Sequence, residues 1–186
     1  THGNAHLDTA QSKFGGSSAF FDGNGSYLSL PQSEDWSFGS GDFTLEGWYY
    51  FNSLATSAAL WNQYTDANNT FTVQVNTAGE IHAGCYVDPI HVVLYATAPV
   101  ISAGAWYHIA FVRHGSDGFI FVNGVAQATP GATVFGTQTL PDYTSALYMG
   151  FQASATRYYL DGWLDELRVS KGIARWTSNF TPPDAP

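Results

Sequence analysis

The sequence predicts an all-β domain, a sandwich or barrel, and three observations predict it. Apolar and polar residues alternate with period two in about a dozen short segments. Gly, Asn, Asp and Pro punctuate those segments. Helical surfaces are usually covered by Glu, Lys and Arg, yet only 11% of the 186 residues are charged, against 45% hydrophobic and 16% aromatic. No convincing amphipathic helix interrupts the series.

The expected strands, in order, are Ser18–Phe21, Tyr27–Leu30, Phe43–Phe51, Ala58–Asn62, Thr70–Val75, Glu80–Val87, Ile90–Thr97, Trp106–Arg113, Phe119–Val122, Val125–Thr129, Ala146–Gly150 and Tyr159–Val169. The firmest local feature is Asn123-Gly124 between Phe121-Val122 and Val125-Ala126. That pair supplies positive φ at both turn positions, as a type I′ hairpin needs. Asp22-Gly23-Asn24-Gly25 is a turn of the same chemistry. Two longer stretches, Gln63–Asn69 and Thr129–Thr144, read as loops of the length that often carries function. One domain is expected over residues 1–186, with a core at about 18–170 and terminal extensions at 1–16 and 175–186. The Pro-containing end reads as a tail lying on the domain or leading to a linker.

Composition narrows the function. The formal charge is −9, with six Lys and Arg against fifteen Asp and Glu. Nucleic-acid binding needs a basic stripe to displace counterions, and none exists. No apolar run is long enough for a membrane span, so no membrane insertion is expected. The single cysteine, Cys85, cannot form an internal disulfide and reads as a small buried apolar residue. The chain starts Thr1-His2-Gly3 and reads as a processed chain or a piece of a longer one.

Five short segments in order resemble a laminin G-like domain of the concanavalin A-like lectin/glucanase superfamily. They are Phe20-Phe21-Asp22-Gly23-Asn24-Gly25-Ser26-Tyr27-Leu28, Gly41-Asp42-Phe43-Thr44-Leu45-Glu46-Gly47-Trp48, Gly104–Arg113, Phe121-Val122-Asn123-Gly124 and Leu160–Val169. The resemblance implies a two-sheet antiparallel jelly-roll sandwich. Both Phe43-Thr44-Leu45-Glu46 and Leu164-Asp165-Glu166-Leu167 are expected to alternate as half-buried strands. The closing run Arg168–Trp176 is similar to versions in phage and bacterial surface proteins, which implies an extracellular or virion-surface location.

Catalysis is not expected. Retaining glycosidases need two carboxyl groups about 5–5.5 Å apart. None of Glu34, Glu46, Glu80 and Glu166 lies in a Glu-x-Asp-x-x-Glu pattern. No Gly-x-Ser-x-Gly elbow is present, and the histidines lack zinc spacing. The resemblance implies a structural Ca²⁺ held by Asp165, with oxygens from the Asp22 turn and from Gly41.

Sugar sites pair an aromatic face with planar polar side chains. That chemistry marks Trp61, Asn62, Tyr64, Asn68, Tyr86, His91, Tyr95, Arg157 and Tyr158 as candidate ligand-binding residues. The leading expectation is a non-catalytic carbohydrate-binding or adhesion module on a phage particle or bacterial surface, with a glycan or surface polysaccharide as partner. The alternative is a structural or protein-interaction domain touching other virion or surface protein chains. A divergent glycoside hydrolase comes third.

Overall fold

The computed structural model describes residues 1–87, 90–96, 98–132, 135–154 and 158–184. Its strands are β1 (His6–Asp8), β2 (Ser18–Asp22), β3 (Leu28–Leu30), β4 (Phe43–Phe51), β5 (Ala58–Asp66), β6 (Asn69–Val75), β7 (Ile81–Val87), β8 (Ile90–Ala96), β9 (Trp106–His114), β10 (Asp117–Val122), β11 (Val125–Ala126), β12 (Leu147–Met149) and β13 (Asp161–Lys171). They form a seven-stranded sheet, β1-β2-β13-β4-β9-β10-β11, and a six-stranded sheet, β3-β12-β5-β6-β7-β8. Neighbouring strands are antiparallel throughout, and the architecture is a jelly-roll sandwich. Beyond the single 3-10 turn Glu34–Trp36, no helix occurs among the described residues.

The core lies between the sheets. Phe43, Leu45, Tyr49 and Phe51 of β4 point inward, with Phe71, Val73 and Val75 of β6 facing them. Their alternates therefore point out of the sandwich: Thr44, Glu46, Trp48 and Tyr50 from one sheet, Thr70, Thr72 and Gln74 from the other. Cys85 is buried in the core, and burial pushes its thiol far up. Both turn residues of the expected type I′ hairpin have positive φ, 49° at Asn123 and 77° at Gly124.

Four expectations change. Gln63–Asn69 is no loop: β5 runs on to Asp66 and turns tightly into β6, with the Asn68 amide donating to Asp66 Oδ1. The Thr129–Thr144 stretch lacks strands in its described part, but it plugs Phe135, Leu140 and Tyr143 into the core. Buried Arg113 anchors it, donating to the carbonyls of Gln138, Gly39 and Gly115. Third, the N-terminal stretch contains a strand, β1, too short at three residues to show alternation. Fourth, Leu164–Leu167 does not alternate. A bulge between Asp165 and Arg168 places Glu166 at φ 51°, which lets Leu164 and Leu167, three apart, both face the core.

Residues 175–184 lie on the seven-stranded sheet. Trp176 and Phe180 stack at 3.9 Å beside buried Ala110, Val112 and Phe121, and the Phe180 amide donates to the Gly124 carbonyl.

Candidate functional site

The outward pleats of β5 to β8 line up in three cross-strand rows. One row holds Tyr64, Thr70, Tyr86 and His91, and the next Asn62, Thr72, Gly84 and Val93. The third holds Gln74, His82 and Tyr95. This face is polar and aromatic, with no Lys or Arg among these row residues.

Gly84 sets its geometry. A Cβ there would lie 3.1 Å from Cε2 of Tyr86, so the Tyr86 ring reclines on the strand where other residues would carry a side chain. The Tyr86 hydroxyl reaches the Tyr95 side chain, and burial, helped by that bond, pushes the phenol up to about 12. His91 packs against Tyr86 at 5.0 Å, and His82 meets Tyr95 edge-on at 4.6 Å. Burial holds the His82 imidazole below its usual range, against the opposing pull of Glu80 3.8 Å away. Beside the platform, Tyr64, Ala67, Thr70, Tyr86 and Ser154 line an open recess of about 280 Å³. Thr72 Oγ1, Gln74 Oε1 and Gln152 Oε1 find no partner within the described protein.

The structure brings together Tyr64, Tyr86, His91 and Tyr95. Asn68 is exposed at the β5–β6 turn, one pleat beyond them. Tyr158 is half-buried with φ 60°, its carbonyl accepting from the Ala59 amide. Arg157 lies outside the described residues. Two candidates are corrected. Trp61 is 2% exposed, because a bulge between Ala59 and Trp61 turns it opposite Val73 into the core. Asn62 is fully buried, its Oδ1 accepting from the Ala153 amide and so fixing the 152–154 turn on the sheet. Neither can meet a ligand. Gly84, Thr70, Thr72, Gln74 and His82 were missed. The alternation Thr70-x-Thr72-x-Gln74 and a glycine inside a strand were the available signals.

The residues expected to hold calcium do not converge. Asp22 is opposite Asp161 at the start of β13, Asp165 is opposite Trp48, and Gly41 sits beside Asp42, whose carbonyl accepts from Gly172 past the end of that strand. Eleven strand positions separate the outer two, about 35 Å at the usual rise. Asp165 instead caps a loop, accepting from the amides of Lys13 and Phe14. Asp22 closes its own turn, accepting from the Asn24 amide and the Ser26 hydroxyl. No cluster of three metal-ligating side chains exists among the described residues.

A second recess, about 210 Å³, opens on the seven-stranded sheet and is lined by Glu46, Glu166, His108, Arg168, Trp48 and Phe14 among others. Two glutamates in one recess invite comparison with a glycosidase pair. Burial pushes the Glu46 carboxyl up, but bonds from His108, Trp176 and Arg168 outweigh that and hold it below the usual range. Both its oxygens are engaged.

Two antiparallel sheets packed face to face define a jelly-roll β-sandwich. The profile of the laminin G-type family described as the concanavalin A-like lectin/glucanases superfamily matches residues 22–175, and the chain belongs to that family. No curated protein matches the sequence. Among solved structures, it is similar to domain 4 of AbnA, an extracellular arabinanase from Geobacillus stearothermophilus in complex with arabinotriose. There the identity is 16% and the TM-score 0.65, covering 92% of this chain and 77% of that one. A Ruminococcus gnavus sialidase CBM40 bound to α2,3-sialyllactose matches at 12% identity and TM-score 0.61, covering 80% and 91%. Mouse laminin α1 domains LG4-5 match at 14% and 0.60, covering 81% of this chain and 40% of that one. At these identities the likeness concerns the fold.

Proposed function

We propose that this chain is a non-catalytic carbohydrate-binding module whose glycan lies on the outer face of the six-stranded sheet. The observation that carries the reading is the Tyr86 ring reclined over Gly84, flanked by Tyr64, His91 and Tyr95 beside the 280 Å³ recess. An aromatic face stacks on the apolar side of a sugar ring, while Tyr64 and Ser154 in the recess offer hydrogen bonds to its hydroxyls. Carbohydrate-binding domains among the structures of like fold support the same class. The engaged state of Glu46 supports binding without hydrolysis. The resemblance of Arg168–Trp176 to phage and bacterial surface proteins supports display on a virion or cell surface.

The test is a glycan array probed with the wild-type chain and Tyr86→Ala, with calcium and with a chelator. We expect at least one saccharide to bind the wild type and to lose about tenfold in affinity on Tyr86→Ala, the worth of one stacked ring with its buried area. Loss with the chelator would assign calcium a supporting role. No saccharide bound at millimolar concentration in either condition would end the proposal and leave protein assembly as the function.

A further inference from the structure

The opposite sheet carries a feature the six-stranded face does not use. On the outer side of the seven-stranded sheet, five rings from five adjacent strands stand in one cross-strand row: His6, Phe20, Trp163, Tyr50 and Trp106. Consecutive ring centroids are 5.2, 5.1, 5.5 and 5.7 Å apart. His6 is exposed and the other four are half-buried. Cross-strand aromatic pairs do stabilise sheets. Such pairs need no particular number, however, and the chain itself covers parts of the rest of this outer face. Trp176 and Phe180 lie over one part of it, and Lys13, 3.9 Å from the Trp48 ring, over another. The row remains an open aromatic strip about 19 Å long, from four strand spacings of about 4.8 Å.

The flanking polar groups define what fits. On one side, Asp22 and Asp161 are directly opposed across β2 and β13, and Asn52 donates to Asp161. Like charges in opposed positions cost stability, which the bonds of Asp22 to its own turn and of Asn52 to Asp161 offset. On the other side Asp8 accepts from the Trp163 indole, holding that ring in place. Two cations of this sheet face are engaged elsewhere, Lys13 on Trp48 and Arg168 with Glu46. A strip of rings edged by acceptors, on a chain of net charge −9, complements a ligand that presents apolar ring faces and hydroxyl donors without negative charge.

We propose that this aromatic row is a second glycan-binding surface, for a neutral linear polysaccharide that crosses the strands along it. It shares the ligand class of the six-stranded face but none of its residues. Acidic glycans are repelled by Asp8, Asp22 and Asp161.

The test is titration of the full chain with cellohexaose, xylohexaose, mannohexaose and hexagalacturonate, read by calorimetry and tryptophan fluorescence. Trp106→Ala, Phe20→Ala and Tyr86→Ala are titrated in parallel, with each variant's folding checked by urea unfolding. Trp106 is the first residue of β9, so its replacement is tolerated even where Phe20→Ala is not. We expect a neutral hexasaccharide to bind, with affinity falling about tenfold in Trp106→Ala while Tyr86→Ala keeps the tryptophan fluorescence change. Binding lost in Tyr86→Ala and intact in Trp106→Ala would overturn this proposal and leave the six-stranded face as the site. Loss only in Trp106→Ala would do the reverse. The second surface is also overturned by preference for hexagalacturonate, by no hexasaccharide binding, or by a concentration-dependent dimer that Trp106→Ala dissolves.

Discussion

At the scale of single residues, the six-stranded face turns on a side chain that is absent. Gly84 has ordinary backbone angles, so alanine is accessible to it, but its Cβ would press on the Tyr86 ring at 3.1 Å. In Gly84→Ala we expect stability within about 1 kcal/mol of the wild type, since alanine also restricts the unfolded chain. Saccharide affinity should fall severalfold as the ring is lifted. Urea unfolding beside a binding titration checks this, and a parallel loss of both would mean that Gly84 serves packing alone. The same residues show how far the site was legible. Tyr64, Tyr86, His91 and Tyr95 have sugar-binding chemistry, and β-alternation puts them outward. Trp61 has the same chemistry, yet a bulge at Leu60 turns it inward. Side-chain type is written in the sequence, whereas a one-residue shift of pleat is decided by packing across the sheet.

At the scale of elements, long regular strands were legible and irregular ones were not. Phe43–Phe51 alternates over nine residues because one face packs on the core and the other on covering segments. In β13 the Asp165–Arg168 bulge hides the period, and three-residue β1 has too little length to show one. The C-terminal segment gives a prediction at this scale. Gly124 has φ 77°, and a Cβ there would stand 1.9 Å from the Phe180 carbonyl oxygen. Gly124→Ala therefore strains the type I′ turn and also displaces the segment docked on it. A left-handed conformation alone costs a non-glycine residue about 1–2 kcal/mol. We expect at least that loss in urea unfolding, together with faster proteolytic cleavage between residues 175 and 184. Unchanged cleavage would show that the Trp176–Phe180 stack holds the segment without the turn.

For the whole molecule, the acidic surplus and the placement of its few cations set the response to pH. Hydrogen bonds hold the carboxyls of Asp8, Asp42 and Asp66 below their usual range, burial pushes that of Asp22 up but its bonds from Ser26 and Asn24 outweigh this, and the ring of His82 is held low by burial. Glu46 is likewise low through His108, Trp176 and Arg168, against its burial. For every one of these groups the unfolded chain binds a proton at a pH where the folded chain does not. Stability therefore falls as pH drops, first below 6.5 as His82 begins to charge in the unfolded chain. It falls further below 4.5 and 3.8, the ordinary values of the glutamate and aspartate groups. The aspartates are largely solvated, and each contributes little. Glu46 differs because its side chain is only 1% exposed and Arg168, Arg175, His108 and Trp176 all converge on it. Glu46→Gln should cost about 2 kcal/mol at neutral pH, within the range for charge-assisted bonds, since Arg168 and Arg175 keep access to water. It should also flatten the acid limb of the stability curve while leaving the His82 step in place. Urea midpoints from neutrality down to about pH 3 separate the two steps. An undiminished acid limb in Glu46→Gln would move the origin of acid sensitivity to the exposed aspartates. The buried cluster would then act only to dock the C-terminal segment onto the sheet.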